Sequence, residues 1–174
     1  RRASLGRVTR LRPAALAGAV RVVHDRQGRP ITFDVHAPGV DVAWYARVLR
    51  NAVHGDEIRD VTVRIVPRDR VGRACGNAAA DGCYGGSPPR IVVPAGAGPE
   101  AEHVLLHEYA HHIDRTHPHD GLEEPNGTRR WWAARRMAWR LARDQVARDY
   151  SRGWSHAIGE IFAEDYVQLH VLGS

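Results

Sequence analysis

Lysine is absent from this chain: all 25 of its basic residues are arginine. That excludes a Schiff-base lysine and the lysine of a phosphate-binding loop. Cysteine is scarce. Cys75 and Cys83 are the only two, and they form no C-x-x-C motif, which excludes a redox dithiol or cysteine-built zinc site of that kind. No apolar run approaches the roughly 20 residues a membrane-spanning helix needs. Aromatics make up only 7% of the chain and are not interleaved with the arginines. The net charge of +5 therefore reads as a solvated basic surface, not as a nucleic-acid interface.

What is present describes an ordinary globular domain. The chain has 174 residues, 43% hydrophobic and 26% charged, enough to bury a core. Residues 19–174 read as one domain, expected to be monomeric. Residues 1–18 begin with a basic stretch and run through small apolar residues to an A-x-A pattern. They read either as a disordered arm or as the remnant of an export signal.

Hydrophobic periodicity predicts an α+β fold with a small, mostly antiparallel or mixed sheet and a helical C-terminal half. Residues 19–24 and 31–36 alternate as two strands of a hairpin. Residues 41–53 have helical spacing, with Val42, Tyr45, Leu49 and Val53 on one face and Asp41 as N-cap. A third strand covers 61–66. Arg90 to Pro94 reads as a strand that its terminal proline suits to an edge. Helices are predicted over about 99–115, from Pro99, over about 128–150, and over about 156–172 behind a Ser155 cap. The seven residues between Cys75 and Cys83 are rich in Gly, Asn and Asp. They can fold back as a loop, so a disulfide is expected, and with it an exported or secreted protein.

The chemistry concentrates in His107-Glu108-Tyr109-Ala110-His111. Two histidines four residues apart stack on one helix face, where both can reach one metal ion. Glu108, a third of a turn round, can touch a metal-bound water without ligating the metal. Leu105, Leu106, Tyr109 and Ile113 form an apolar stripe on the opposite side, so the helix can anchor by one face and present ligands with the other. A catalytic zinc takes three protein ligands and keeps one position open.

Two residues compete to be the third ligand. Glu160 and Glu164 lie at i, i+4 on the last helix, which Phe162, Tyr166 and Leu169 mark as buried. One carboxylate could bind the ion while the other orients a ligating histidine. His117 offers the metzincin spacing, but Asp114 stands where that pattern has glycine. The only methionine, Met137, falls in a predicted helix with no Met-turn. Glu160 is the preferred ligand.

The pair of motifs, His-Glu-Tyr-Ala-His at 107–111 and Gly-Glu-Ile-Phe-Ala-Glu-Asp at 159–165, resembles the gluzincin metallopeptidases. Within them it is most similar to the small bacterial group related to the catalytic domain of anthrax lethal factor. The resemblance covers about 75–172. It implies a zincin-like fold, His107, His111 and Glu160 as zinc ligands, and Glu164 behind them. The tyrosine that these enzymes often place shortly before the third ligand has no obvious counterpart.

The expected function is hydrolysis of peptide bonds in a protein or peptide substrate, dependent on Zn2+. Glu108 is the general base, and Tyr150 and His156 are the candidate oxyanion donors. The substrate is expected to add as a strand beside Ile91-Val92-Val93. The alternatives are a metzincin-like peptidase using His117, a catalytically silent metal-containing binding protein, and a basic nucleic-acid-binding domain.

Overall fold

The computed structural model describes residues 18–117 and 127–171. The predicted arm up to residue 17, and His119 with the rest of 118–126, lie outside the described residues. Five strands form one mixed sheet in the order β1-β2-β3-β5-β4. β1 (Ala19–His24) and β2 (Pro30–Val35) make the predicted antiparallel hairpin, while β2 runs parallel to β3 (Thr62–Val66). β5 (Arg90–Pro94) is parallel to β3 and antiparallel to β4 (Cys83–Gly85).

β5 is therefore an interior strand, not the predicted edge; β4 holds the edge beside it. Pro94 lacks an N–H, but it is the strand's last residue. The next N–H, from Ala95, continues the pairing to the Val66 carbonyl at 2.7 Å. Ile91, Val92 and Val93 are all buried, as the unbroken apolar run of a strand covered on both faces should be.

One face of the sheet carries the main core. Ile31, Phe33, Val63, Ile65, Ile91 and Val93 pack there against helices α1 (Val42–Asn51) and α3 (Pro99–Thr116). Asp41 caps α1 through the Trp44 N–H, and Tyr45 donates its hydroxyl to the Pro94 carbonyl at 2.8 Å, fastening α1 across the end of β5. On the other face Val66 and Val92 meet Val71 of the short α2 (Val71–Cys75). A disulfide joins Cys75 to Cys83 and so ties α2 to the edge strand.

α3 begins at Pro99, with Glu100 and Glu102 in its first turn, where the helix dipole favours acids. Its apolar side, Leu105, Leu106, Tyr109 and Ala110, is fully sunk in the core. α6 (Ile158–Val171) packs along α3 through Phe162, Ala163, Tyr166 and Val167. Leu169, expected in that interface, is exposed.

The predicted helix over 128–150 is not continuous. Thr128 caps α4 (Arg129–Ala134), Arg136 turns into the left-handed region, and α5 (Met137–Leu141) follows. The chain then runs to a bridge in which Ala147 N–H donates to the His156 carbonyl and Ile158 N–H to the Ala147 carbonyl, both at 2.9 Å. Met137, Val146 and Ile158 pack together beneath these turns. Tertiary burial and backbone pairing with the start of α6 override helix propensity here. No helix among the described residues is long and apolar enough to cross a membrane.

A buried carboxylate fixes the back of α3. Glu57, in the 3-10 helix Asp56–Asp60, accepts from Gly55 N–H at 2.7 Å and Tyr109 hydroxyl at 2.8 Å, and pairs with His117 Nε2 at 3.0 Å. Burial alone raises its pKa, but these donors outweigh that and lower it to about 2. Its contribution is thus complete above the ordinary value of 4.5 and lost as pH falls toward 2. Glu57→Gln is expected to cost about 1–3 kcal/mol at neutral pH. It should also flatten the fall in stability across that acid window, read by chemical denaturation at stepped pH.

Candidate metal centre

The antiparallel packing of α3 and α6 sets a column of histidines against a pair of carboxylates. His107 Nε2 lies 3.0 Å from Glu160 Oε2, His111 Nε2 lies 3.3 Å from the same oxygen, and the two nitrogens are 3.1 Å apart. Tetrahedral ligands about 2.0–2.1 Å from a zinc-sized ion are separated by about 3.3 Å, so the three atoms already have the spacing of a shared ion's ligands. His107 and Glu160 are buried, and His111 faces the cleft.

The protonation chemistry of His107 points the same way. Its two ring nitrogens each face a carboxylate at 3.0 Å, Nδ1 toward Glu164 Oε1 and Nε2 toward Glu160 Oε2; with an ion at Nε2 the hydrogen would sit on Nδ1 and be donated to Glu164. Nε2 would then present a lone pair toward the His111 nitrogen and the Glu160 oxygen. Together these three atoms could hold a cation. With no metal ion there, the same carboxylates favour a proton. Burial disfavours charge on His107, yet Glu160 and the charges of Glu108 and Glu164 outweigh it and raise its pKa. Glu160 is likewise pushed up by burial but held well below the carboxylate range by His107, His111 and Tyr150. The donor set, two imidazoles and a carboxylate, could hold a first-row divalent ion.

Glu108 lies against the same cleft, of about 1290 Å³, whose floor is α3. Burial raises its pKa against the opposing charges of His111 and His107. The loop 76–82 and β4 form one wall; Tyr150, Trp154 and the start of α6 form the other. Tyr150 donates to Glu160 Oε1 at 2.6 Å, and its own pKa is pushed up to about 12 by burial and by that carboxylate. The sequence-predicted residues His107, Glu108, His111, Glu160 and Tyr150 are thus together.

His156 is not with them. It sits on the surface with Nδ1 3.2 Å from Ser155 Oγ, outside the cleft lining, because the bridge at Ala147 turns its backbone into the pairing and its ring outward. His117 is also elsewhere. It pairs with Glu57 behind α3, and neither of the metal-competent groups among the described residues includes it. The metzincin arrangement fails because the residue after the helix turns toward the 3-10 segment, away from His107. Ile91-Val92-Val93 cannot receive a substrate strand, since both its edges are paired; β4 has the free edge.

Three contributors were not anticipated. Trp154 stacks on His107, with ring centroids 5.6 Å apart and planes 19° from parallel. His103 Nε2 contacts Glu164 Oε1 at 3.1 Å; its position four residues before His107 was the available signal. Gly82 lies against Glu108: a Cβ there would fall 2.6 Å from Val104 Cγ1 and 3.1 Å from Glu108 Oε1. In the sequence it looked like an ordinary turn glycine before Cys83.

No family model matches the chain, and comparison with curated proteins finds no match.

Two expectations follow from the geometry. Gly82→Ala should destabilise by about 1–3 kcal/mol through overpacking against Val104, with bound metal retained, as chemical denaturation and metal analysis would read. Glu160→Ala should lose bound divalent metal and His117→Ala should keep it; metal content after dialysis distinguishes them.

Proposed function

We propose that the protein is a metal-dependent peptidase whose resident ion is zinc, held by His107, His111 and Glu160. The observation that carries this reading is the convergence of those three lone-pair atoms at 3.0–3.3 Å beside a buried glutamate in an open cleft. A bound zinc ion supplies a Lewis acid that polarises a carbonyl and acidifies a water molecule.

The chain's own residues supply the rest. Glu108 takes the proton from the attacking water and delivers it to the leaving amine nitrogen, and its raised pKa suits it to hold that proton in between. Glu164 fixes the ring of His107 through Nδ1. Trp154 covers one face of that ring and limits the water reaching it. Tyr150 hangs at the cleft mouth with its hydroxyl on Glu160. Turned from that carboxylate, it can donate to the oxyanion of a tetrahedral intermediate.

The free edge of β4 gives an extended polypeptide backbone donors and acceptors to pair with. That favours a peptide substrate over a compact small molecule. The zincin-like fold and the kinship with gluzincins belong to this proposal, supported by the order of sheet, motif helix and second ligand helix. Export to an oxidising compartment fits the Cys75–Cys83 bond.

The decisive measurement is cleavage of an unfolded protein by the purified chain, with and without chelator. Glu108→Gln should retain its metal while losing about 100- to 10,000-fold in rate. Undiminished cleavage by that variant, or no dependence on metal, would falsify the proposal.

A further inference from the structure

The metal centre uses two imidazoles of α3, but the helix carries three in register. His103, His107 and His111 are spaced by four residues, so each stands about 6 Å along the helix from the next. The rings of His103 and His107 are stacked with centroids 6.1 Å apart and planes only 14° from parallel. Opposite them, Glu160 and Glu164 have the same four-residue spacing on the antiparallel helix.

Two columns in that register make two trios that share their middle member. The inner trio is His107 Nε2, His111 and Glu160. The outer trio is His103 Nε2, His107 Nδ1 and Glu164, whose ligand atoms all lie within 4.8 Å of one another. Glu164 Oε1 is 3.1 Å from the first nitrogen and 3.0 Å from the second, again the separation of atoms sharing a small cation. The inner position is buried, whereas the outer one opens to solvent: the side chains of His103 and Glu164 are 44% and 33% exposed.

We infer that His103, Glu164 and His107 Nδ1 form a second, outer site for a divalent cation such as zinc, which is inhibitory when filled. It rests on the peptidase reading for the inner ion and for the activity that it inhibits, while the second equivalent of metal is read independently of activity. His103 Nε2, His107 Nδ1 and a Glu164 oxygen would hold the outer ion, any hydrogen on Nδ1 being released to solvent. Glu164, drawn onto that ion, would no longer accept the hydrogen bond that orients His107. Solvent access and the charge of the first ion make the outer position the weaker of the two. It fills only when metal exceeds one equivalent.

The test is titration of Zn2+ into the metal-free full chain by calorimetry, with hydrolysis followed in parallel. The wild-type protein should take up two equivalents, the second weaker, and its activity should fall as the second fills. His103→Ala should bind one, and excess Zn2+ should no longer depress its activity. His103→Gln, which keeps a donor to Glu164, should behave in the same way, so loss of the second equivalent is not a folding defect. One equivalent in the wild type overturns the outer site and leaves the peptidase reading intact. Two equivalents in both variants also overturn it, by placing the second ion elsewhere. No uptake at all sinks both readings.

Discussion

His107 is the residue on which the architecture turns, because it is held between two carboxylates on opposite ring nitrogens. Glu164 fixes Nδ1 and Glu160 faces Nε2, each at 3.0 Å. Both glutamates come from α6, one helical turn apart, so the ring orientation depends on the axial register of α3 against α6. Sliding α6 by one residue along its axis moves both carboxylates by about 1.5 Å. Neither hydrogen-bond distance could survive that together with the other. The interhelical packing of Phe162, Ala163, Tyr166 and Val167 therefore sets the chemistry as directly as the polar residues do.

Each helix is in turn fastened from behind. Tyr109 and His112, on the far side of α3, bond to Glu57 and to its carbonyl, and His112 also reaches the hydroxyl of Tyr84 on the edge strand. α6 is held at its start by the pairing of Ala147 with residues 156–158, and farther on by Asp165, which accepts from Trp131 Nε1 at 2.7 Å and pairs with Arg135. The disulfide holds the loop over Glu108 in place. Such support matters for a site whose ligand atoms must sit within a few tenths of an ångström of a set geometry.

The amphipathic helix carrying the motif was legible in the sequence because its two faces differ in kind: Leu105, Leu106 and Tyr109 on one side, His107 and His111 on the other. Glu160 was legible because a carboxylate inside an apolar helix needs a partner. The place of β5 was misread by giving weight to Pro94 over the run Ile91-Val92-Val93, which alone indicated an interior strand. The break in the 128–150 segment had no local signal. It contains neither glycine nor proline, and the turns at Arg136 and Asp144 are imposed by distant contacts, Met137 and Val146 reaching Ile158. The same break carries Tyr150 to Glu160, so the sequence suggested that residue only through proximity and His156 was suggested on equal grounds. Trp154 could not be found at all, since stacking on His107 depends on a path set by that fold-back.

The buried charges also say how the fold and its ligand are coupled. A carboxylate as deeply buried as Glu160 costs several kcal/mol to desolvate, yet Tyr150, His107 and His111 outweigh that cost and hold its pKa below the carboxylate range. Part of that balance is positive charge at the two Nε2 atoms. A proton can supply it, but a proton sits on one nitrogen at a time and leaves the 3.1 Å contact between His107 and His111 poorly satisfied. A divalent ion, which the three residues could hold, would satisfy all three atoms together. Because its ligands would come from both α3 and α6, its binding free energy would act on the packing of those helices and be shared with folding. The cluster around Met137 is small and reaches the main core through Trp131, which packs against both, so this segment would share in that coupling through the Trp131 contact with Asp165 of α6.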